Sequence, residues 1–501
     1  MIGLENYKSN VAQNGFDNPN QAQDLIKAMQ AGQITGRDTT DAALGQEPLK
    51  AESLETTLKL LEYRMKDIVL WNNMPKLTAY NTVEEYLQLE SYGTDRGGFY
   101  NEGELSDVED SVYKRRAQLV KYIQVTGEVT MQAQMVRSYV DAMRQEVENK
   151  TMWVTRKVNG SLTKADSAII PQEFNGLYAQ HASIGATEGD LYANLNEYQD
   201  SETVIDLRGA SLTQDDVEDA AVNIDANFGN VSHLFAPPTV LSGLSKDFFD
   251  KQRLMLGNTN VGNVTGGTVI KSIATSFGDV ALAQDKLMRR DGAKTLSNSA
   301  TSLKAPNKPS AVGAAVAAGD ASSRFAAADV GDNGALGAVF YAVSAINRYG
   351  ESALEADTTK VTLAAGSSID TTVTDGGGAV PATGYIIYRS LVSTSTDPAA
   401  DGVKFYPLFK VSKAQLTAGY DGGAAGVIRD RGRFIPNCEE AFTTEMVTEV
   451  LSFKQLAPLS KLDLAILGMS NRFIAFLFGT PVLYTPKKMV RFINVGPYVR
   501  A

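Results

Sequence analysis

The chain carries a single cysteine, Cys438, among 501 residues. No internal disulfide framework is available to it, no second thiol lies near for a redox or zinc pair, and such usage suits a reducing cytoplasm. Histidine is almost as scarce. His181 and His233 stand alone, in no HExxH or other ligand spacing, and read as core or surface residues. Equally missing are a GxSxG elbow and a GxxxxGK phosphate loop, and Gly257, Gly262, Gly266 and Gly267 do not fit a dinucleotide fingerprint. No apolar run approaches the length needed to span a bilayer, and the strongest, residues 473–479, reads as a buried strand. The first ten residues lack a basic stretch followed by an apolar one, so no signal peptide is expected. Positive charge is also in deficit: 47 Lys and Arg against 58 Asp and Glu give a net charge of -11. Bulk charge therefore disfavours gripping nucleic acid or an anionic membrane. No catalytic, cofactor or metal residue can be named, and no enzymatic activity is expected. A carboxylate pair brought together from distant positions is the one catalytic arrangement this reading leaves open.

What is present is a chain long enough for several cores, organised around one stretch. Over residues 128–157, Met131, Met135, Val136, Tyr139, Val140, Met143 and Val147 follow a 3.6-residue period, with Arg137, Asp141, Arg144 and Glu148 between them. No Gly or Pro interrupts before Gly160. The pattern predicts an amphipathic helix roughly 45 Å long. Before it, residues 1–50 are polar and aperiodic and read as an arm, followed by a helix over 51–67 and an apolar patch of Trp71, Met74 and Leu77. Val83, Leu87 and Leu89 share one parity and predict a strand over 82–91. A Gly-rich, acidic tip follows, containing Glu102, Glu104, Asp107, Glu109 and Asp110, then Lys114, Arg115 and Arg116, then a second strand over 119–129. The acidic run lacks the spacing of a calcium loop. Together these predict a protruding hairpin. Two strands alone are marginal in water, so such a hairpin is expected to pack on something else, another subunit included.

After the long helix, Pro171, Phe174, Leu177 and Tyr178 punctuate an irregular stretch over 161–200. Residues 212–228 predict a helix capped by Thr213, with Asp215 and Asp216 in its first turn and Val217, Ala220, Ala221 and Ile224 on its buried face. A strand over 230–240, a short helix over 241–256, a loop over 257–267 and strand character over 270–283 follow. Residues 306–436 are poor in charge and rich in Ala, Gly, Ser, Thr and Val, with short strands at turn-punctuated spacing, of which 339–347 alternates. That pattern predicts an inserted β-sandwich. Beyond Pro436 a helix is expected over 439–451 and strands over 472–499, returning to complete the interrupted α/β part.

This order of elements resembles the major capsid proteins of tailed bacteriophages, with the Hong Kong 97-type (HK97-like) fold. The resemblance implies an α+β subunit. Residues 1–80 would be the N-terminal arm, 81–129 the projecting E-loop, and 130–203 a peripheral domain with its spine helix. Residues 204–305 would begin an axial domain that 436–501 completes along with the peripheral one. Within 306–435, FYAVSAINRYGESALEA (340–356) and GYIIYRS (384–390) resemble strands of an Ig-like or fibronectin type III module. The implied role is an icosahedral head shell around double-stranded DNA, bound without sequence preference, built in the host bacterial cytoplasm and ending in the virion. Implied partners are further copies in hexamers and pentamers, a portal protein, and scaffold or decoration proteins. No cofactor or membrane is implied. Glu102, Glu104, Asp107, Glu109, Asp110, Lys114, Arg115 and Arg116 are the expected inter-subunit contacts. The alternatives are a tail, decoration or adhesion protein carrying an Ig-like module, which repeats would favour and this chain lacks, and a glycan-active enzyme.

Overall fold

The structure, a computed structural model, describes residues 65–93, 99–105, 108–135, 141–182, 203–251, 270–289, 292–326, 335–466 and 468–498. All fall in the compact unit Glu62–Ala501. Residues 1–64 of the arm expected over 1–80, with most of the helix expected over 51–67, the 257–267 loop and residues Val136, Arg137, Tyr139 and Val140 lie outside them.

Helices and strands mix in two sheets. The first has four strands in the order Lys76–Thr78, Leu451–Asp463, Ser470–Leu483 and Lys121–Thr130, the outer pair at Lys76–Thr78 being parallel. Phe473, Ala475 and Leu477 are buried in alternation along its longest strand, and Ala475 and Leu477 meet Val154, Val158 and Leu162 of the helix Ala142–Lys164 in one core. Trp71 and Met74 of the predicted apolar patch are buried there too. Two buried aromatics lie over glycines of a neighbouring strand. A Cβ at Gly127 or Gly479 would stand 2.3 Å from Phe473 or Phe453, so the rings lie directly on backbone.

The long helix begins later than its periodicity predicts. Residues 128–130 belong to a strand: Glu128 is in register with Arg472 and forms an ion pair with it at 3.0 Å. A short helix, Met131–Met135, follows, and Asp141, in extended conformation, starts a new one by accepting from the Met143 and Arg144 amides. Its 23 residues run roughly 34 Å. The buried positions lie in its second half, while Met143 and Val147 are only half-buried. Gly160 sits inside the helix, where glycine costs about 1 kcal/mol relative to alanine. A Cβ there would meet nothing within 4 Å.

The second sheet has six strands ordered Val204–Asp206, Met489–Val495, Glu439–Thr444, His233–Ala236, Gly278–Gln284 and Ser272–Thr275. The helix Gln214–Ala226 covers it, and its stripe of Val217, Ala220, Ala221 and Ile224 is buried as expected. Thr213 and Asp216 cap it reciprocally: the Thr213 amide donates to Asp216 Oδ2 at 2.8 Å, and the Asp216 amide to Thr213 Oγ1 at 3.4 Å. Two predicted elements differ. The strand expected over 230–240 stops at Ala236, because Pro238 opens the helix Pro238–Lys251, a position where its missing N–H costs nothing. The helix expected over 439–451 is the strand Glu439–Thr444, since Phe442 is paired on both sides, with Phe235 and Arg491. Tertiary pairing overrides local helix preference here.

Between these sheet strands the chain builds a region of strands with a short helix, Lys413–Ala418. One sheet runs Gly350–Glu351, Tyr341–Asn347, Gly384–Ser390, Phe405–Ser412; the other runs Val427–Asp430, Ser367–Thr374, Ala311–Ala318. Tyr341, Val343, Tyr385, Ile369 and Ile428 share the core between them. The alternation read over 339–347 does not produce an exposed face. Phe340, Ala342 and Ile346 on the other side pack with Ile169, Leu354 and Phe405, so every residue of Tyr341–Asn347 is buried.

Two polar clusters tie the parts together. Asp285, fully buried, accepts from Asn159 Nδ2 at 2.7 Å and from the Leu70 and Leu287 amides at 3.2 and 2.8 Å, while Asn159 Oδ1 accepts from the Trp71 amide at 2.8 Å. That links the long helix, the short helix Val69–Asn73 and the end of a six-stranded-sheet strand. The second cluster surrounds residues 429–433 (RDRGR). Buried Arg389 pairs with Asp430 at 2.8 Å, and Tyr341 donates its hydroxyl to the same carboxylate at 2.7 Å. Burial beside that carboxylate pushes the Tyr341 phenol well above its usual range. Asn494, on the six-stranded sheet, donates to the Arg433 carbonyl and accepts from the Ile435 amide, both at 2.8 Å.

Candidate assembly surface

Val83–Ser91 and Val112–Leu119 form the antiparallel hairpin. Its return strand is thus Val112–Leu119, not 119–129; Lys121–Thr130 crosses into the four-stranded sheet instead. Lys114, Arg115 and Arg116, expected beyond the tip, lie within the return strand, where they continue the ladder opposite Gln88, Leu87 and Tyr86. Among the candidate residues, Glu102, Glu104, Glu109 and Asp110 are exposed near the tip, and Asp107 lies outside the described residues. Glu104 accepts from the Asn101 amide at 2.9 Å, and that hydrogen bond holds its carboxyl below the usual range. Arg115 forms an ion pair with Glu85 across the hairpin, and Arg116 Nε donates to Gln88 Oε1 at 2.5 Å.

The two faces of the hairpin are allotted against ordinary expectation. Glu84, Tyr86 and Gln88 turn toward the body of their own chain. Tyr86 meets the edge of the Tyr484 ring at a 5.1 Å centroid distance, and Gln88 donates to the Tyr484 carbonyl. Burial raises the Tyr86 phenol above its usual value. Val83, Leu87 and Leu89, the apolar parity, turn away. Their cross-strand partners on that face are Leu119, Arg115 and Tyr113. Leu87 is 71% exposed and Tyr113 64%. At the tip, Phe99 is 100% exposed, with Leu105 and Val108 nearly so. The sequence reading found one strand of this stripe and missed the other. Its signal was the parity shared by Tyr113 and Leu119, which the basic run between them obscures.

The two histidines occupy structural positions. His181 is buried with Nε2 3.0 Å from the Met489 carbonyl oxygen, and burial, then the nearby Arg491 guanidinium, lowers its pKa to about 4. His233 stacks on Phe235 at 5.9 Å. Cys438 is buried. Among the described residues no group of three His, Cys, Asp or Glu is placed to hold a metal ion, and no helix is long and apolar enough to cross a membrane.

A subunit whose hairpin shows its apolar side to the outside, and many of whose buried polar groups are spent on internal ties, is made to associate with other chains. Comparison with known proteins specifies the kind. The profile of the SU10 major capsid protein family matches residues 47–331, more than half of the chain. The chain belongs to that family and is a capsid shell protein of a tailed phage. Over 475 residues it is 22% identical to the major capsid protein of Staphylococcus phage S25-3, covering 94% of this chain and 95% of that one. To a putative major capsid protein of Enterococcus phage phiEF24C it is 23% identical over 483 residues, with the same coverage. Among solved structures, the capsid of a native GTA particle matches 91% of this chain and 99% of its own at 8% identity and a TM-score of 0.45. The capsid of cyanophage P-SCSP1u matches 93% and 97% at 8% identity and a TM-score of 0.43.

Proposed function

We propose that this subunit builds an icosahedral head shell with the Hong Kong 97-type fold, and that its hairpin is the E-loop that lies over a neighbouring copy. The observation that carries this is the outward apolar stripe of Val83, Leu87, Leu89, Tyr113 and Leu119. An exposed apolar stripe of that kind marks a contact site, and in a shell the abundant partner is another copy. Head-to-tail contact of this sort closes into rings, which is how hexamers and pentamers arise. Glu102, Glu104, Asp107, Glu109, Asp110, Lys114, Arg115 and Arg116 would supply ionic contacts at the rim of that interface. Each exposed pair is worth only about 0–1 kcal/mol, so they set register more than affinity.

In this reading the four-stranded sheet with the long helix is the peripheral domain and the six-stranded sheet is the axial domain. The strand-rich region is an Ig-like insertion tied to the six-stranded sheet through Asn494 and packed on Ile169 beyond the long helix. The shell encloses double-stranded DNA, joins a portal, and takes scaffold or decoration proteins as further partners. It assembles in the host cytoplasm, and its role is structural, not catalytic. Negative-stain microscopy of the expressed protein tests this: shells, tubes or capsomers are expected. A strict monomer at high concentration, with or without a scaffold, would refute it.

A further inference from the structure

One surface does not follow the acidic character of the chain. Along the solvent side of the long helix, Trp153, Arg156, Lys157, Gly160 and Lys164 recur at three- and four-residue steps and line a hollow of about 470 Å³. Arg289 and Lys410 close its far side. A second hollow of about 280 Å³, which contains Lys404, joins it at Arg289. Two carboxylates line these hollows, Glu173 beside Lys157 at 3.0 Å and Glu439 beside Arg289 at 3.7 Å. Six cations against these two carboxylates and Asp166, which lies within electrostatic reach of Lys410, are still a concentration of positive charge in a chain of net charge -11.

Gly160 supplies the second, independent observation. It weakens the helix, yet its missing Cβ leaves room that no atom of the described chain uses. Glycine at such a place lets another backbone come down onto the helix surface. Arg156 and Lys164 stand one turn to either side of it, about 12 Å apart along the axis.

From these features we propose that the groove over Gly160 seats the phosphodiester backbone of nucleic acid. Carboxylate side chains of a second copy would also suit the charge. They reach a cation from several ångströms away and need no bare helix, whereas a sugar-phosphate chain must itself approach the surface. The two guanidiniums, Arg156 and Arg289, match phosphate oxygens in bidentate fashion. Trp153, 43% exposed, offers an indole face or its N–H at the groove wall. Contact is to the backbone alone, so binding is independent of sequence and steeply dependent on salt. The site adds a ligand to the shell role and does not rest on the hairpin contact.

The test uses full-length protein, a short fluorescein-labelled DNA duplex, fluorescence anisotropy over a salt series, and sedimentation to follow assembly. The double variant Arg156→Glu, Lys164→Glu is expected to lose roughly tenfold or more in affinity, and its log-affinity against log-salt slope to shrink by about 0.9 for each contact removed. Gly160→Leu is expected to weaken duplex binding while leaving the melting temperature equal or higher and assembly intact. Unchanged duplex binding in both variants overturns the proposal. So does loss of assembly with duplex binding retained, which would assign the groove to another copy.

Discussion

Replacing Leu87 by alanine tests the outward face of the hairpin directly. Leu87 is 71% exposed in the single subunit and sits in the middle of the stripe, opposite Arg115. Fully burying a leucine is worth about 1.5–3 kcal/mol, so covering the part now exposed would contribute about 1–2 kcal/mol per subunit. In the isolated chain the substitution removes almost no buried contact and should leave stability within about 0.5 kcal/mol, as for other surface changes. The whole effect is therefore expected in association. One contact per subunit weakened by that amount raises the concentration needed for assembly about 5- to 30-fold. Light scattering against protein concentration reads the threshold, and urea unfolding of unassembled subunits reads the stability. Tyr113→Ala, on the same face, should act in the same direction. The reasoning fails if Leu87→Ala and Tyr113→Ala both assemble at the wild-type threshold, or if Leu87→Ala unfolds the subunit instead.

Three further outcomes are expected. His181 is held neutral in the fold, its pKa lowered to about 4, so the unfolded chain binds one more proton between that pH and the ordinary histidine value. This contribution is complete above about pH 6.5 and is lost as pH falls toward 4, roughly 3 kcal/mol in all. Urea midpoints of His181→Gln should therefore depend less on pH across that window. Asp285→Ala leaves the Leu70 and Leu287 amides and the Asn159 amide without their buried acceptor and should cost about 3 kcal/mol in equilibrium unfolding. Arg389→Met strands the Asp430 carboxylate in the interior and should cost about 3–5 kcal/mol, whereas the double change Arg389→Met, Asp430→Leu recovers much of that loss, a comparison that thermal unfolding resolves.

Much of the local structure was legible in the residues. The Gln214–Ala226 helix could be read with its cap and buried stripe because its pattern and its capping residues agree. The hairpin's first strand was found by parity, though not the direction its apolar side faces, since nothing local says which face the body of the chain will take. The polar ties were invisible for a different reason. Asp285 and Asn159 are 126 positions apart, and Arg389 and Asp430 are 41 apart, so no local pattern connects them. The strand Glu439–Thr444 was misread because its partners come from distant parts of the chain, and the strand Leu451–Asp463 was not anticipated. Periodicity joined a strand end, a short helix and the long helix into one element, since Met131 and Met135 fall on the same broad arc of a helical wheel as Met143.

The strand order has a consequence for how the subunit is made. In the four-stranded sheet the two middle strands, Leu451–Asp463 and Ser470–Leu483, come from the end of the chain. In the six-stranded sheet, Glu439–Thr444 and Met489–Val495 likewise lie inside the strands synthesised earlier. A growing chain on the ribosome thus has the two outer strands of the first sheet with nothing between them, and in the second a block of His233–Ala236, Gly278–Gln284 and Ser272–Thr275 that is not yet joined to Val204–Asp206. Such long-range pairing folds slowly and leaves strand edges open meanwhile. Both sheets are complete only once the strand Met489–Val495 has emerged. The folded surfaces of a subunit are thereby withheld from its neighbours until those closing strands have paired.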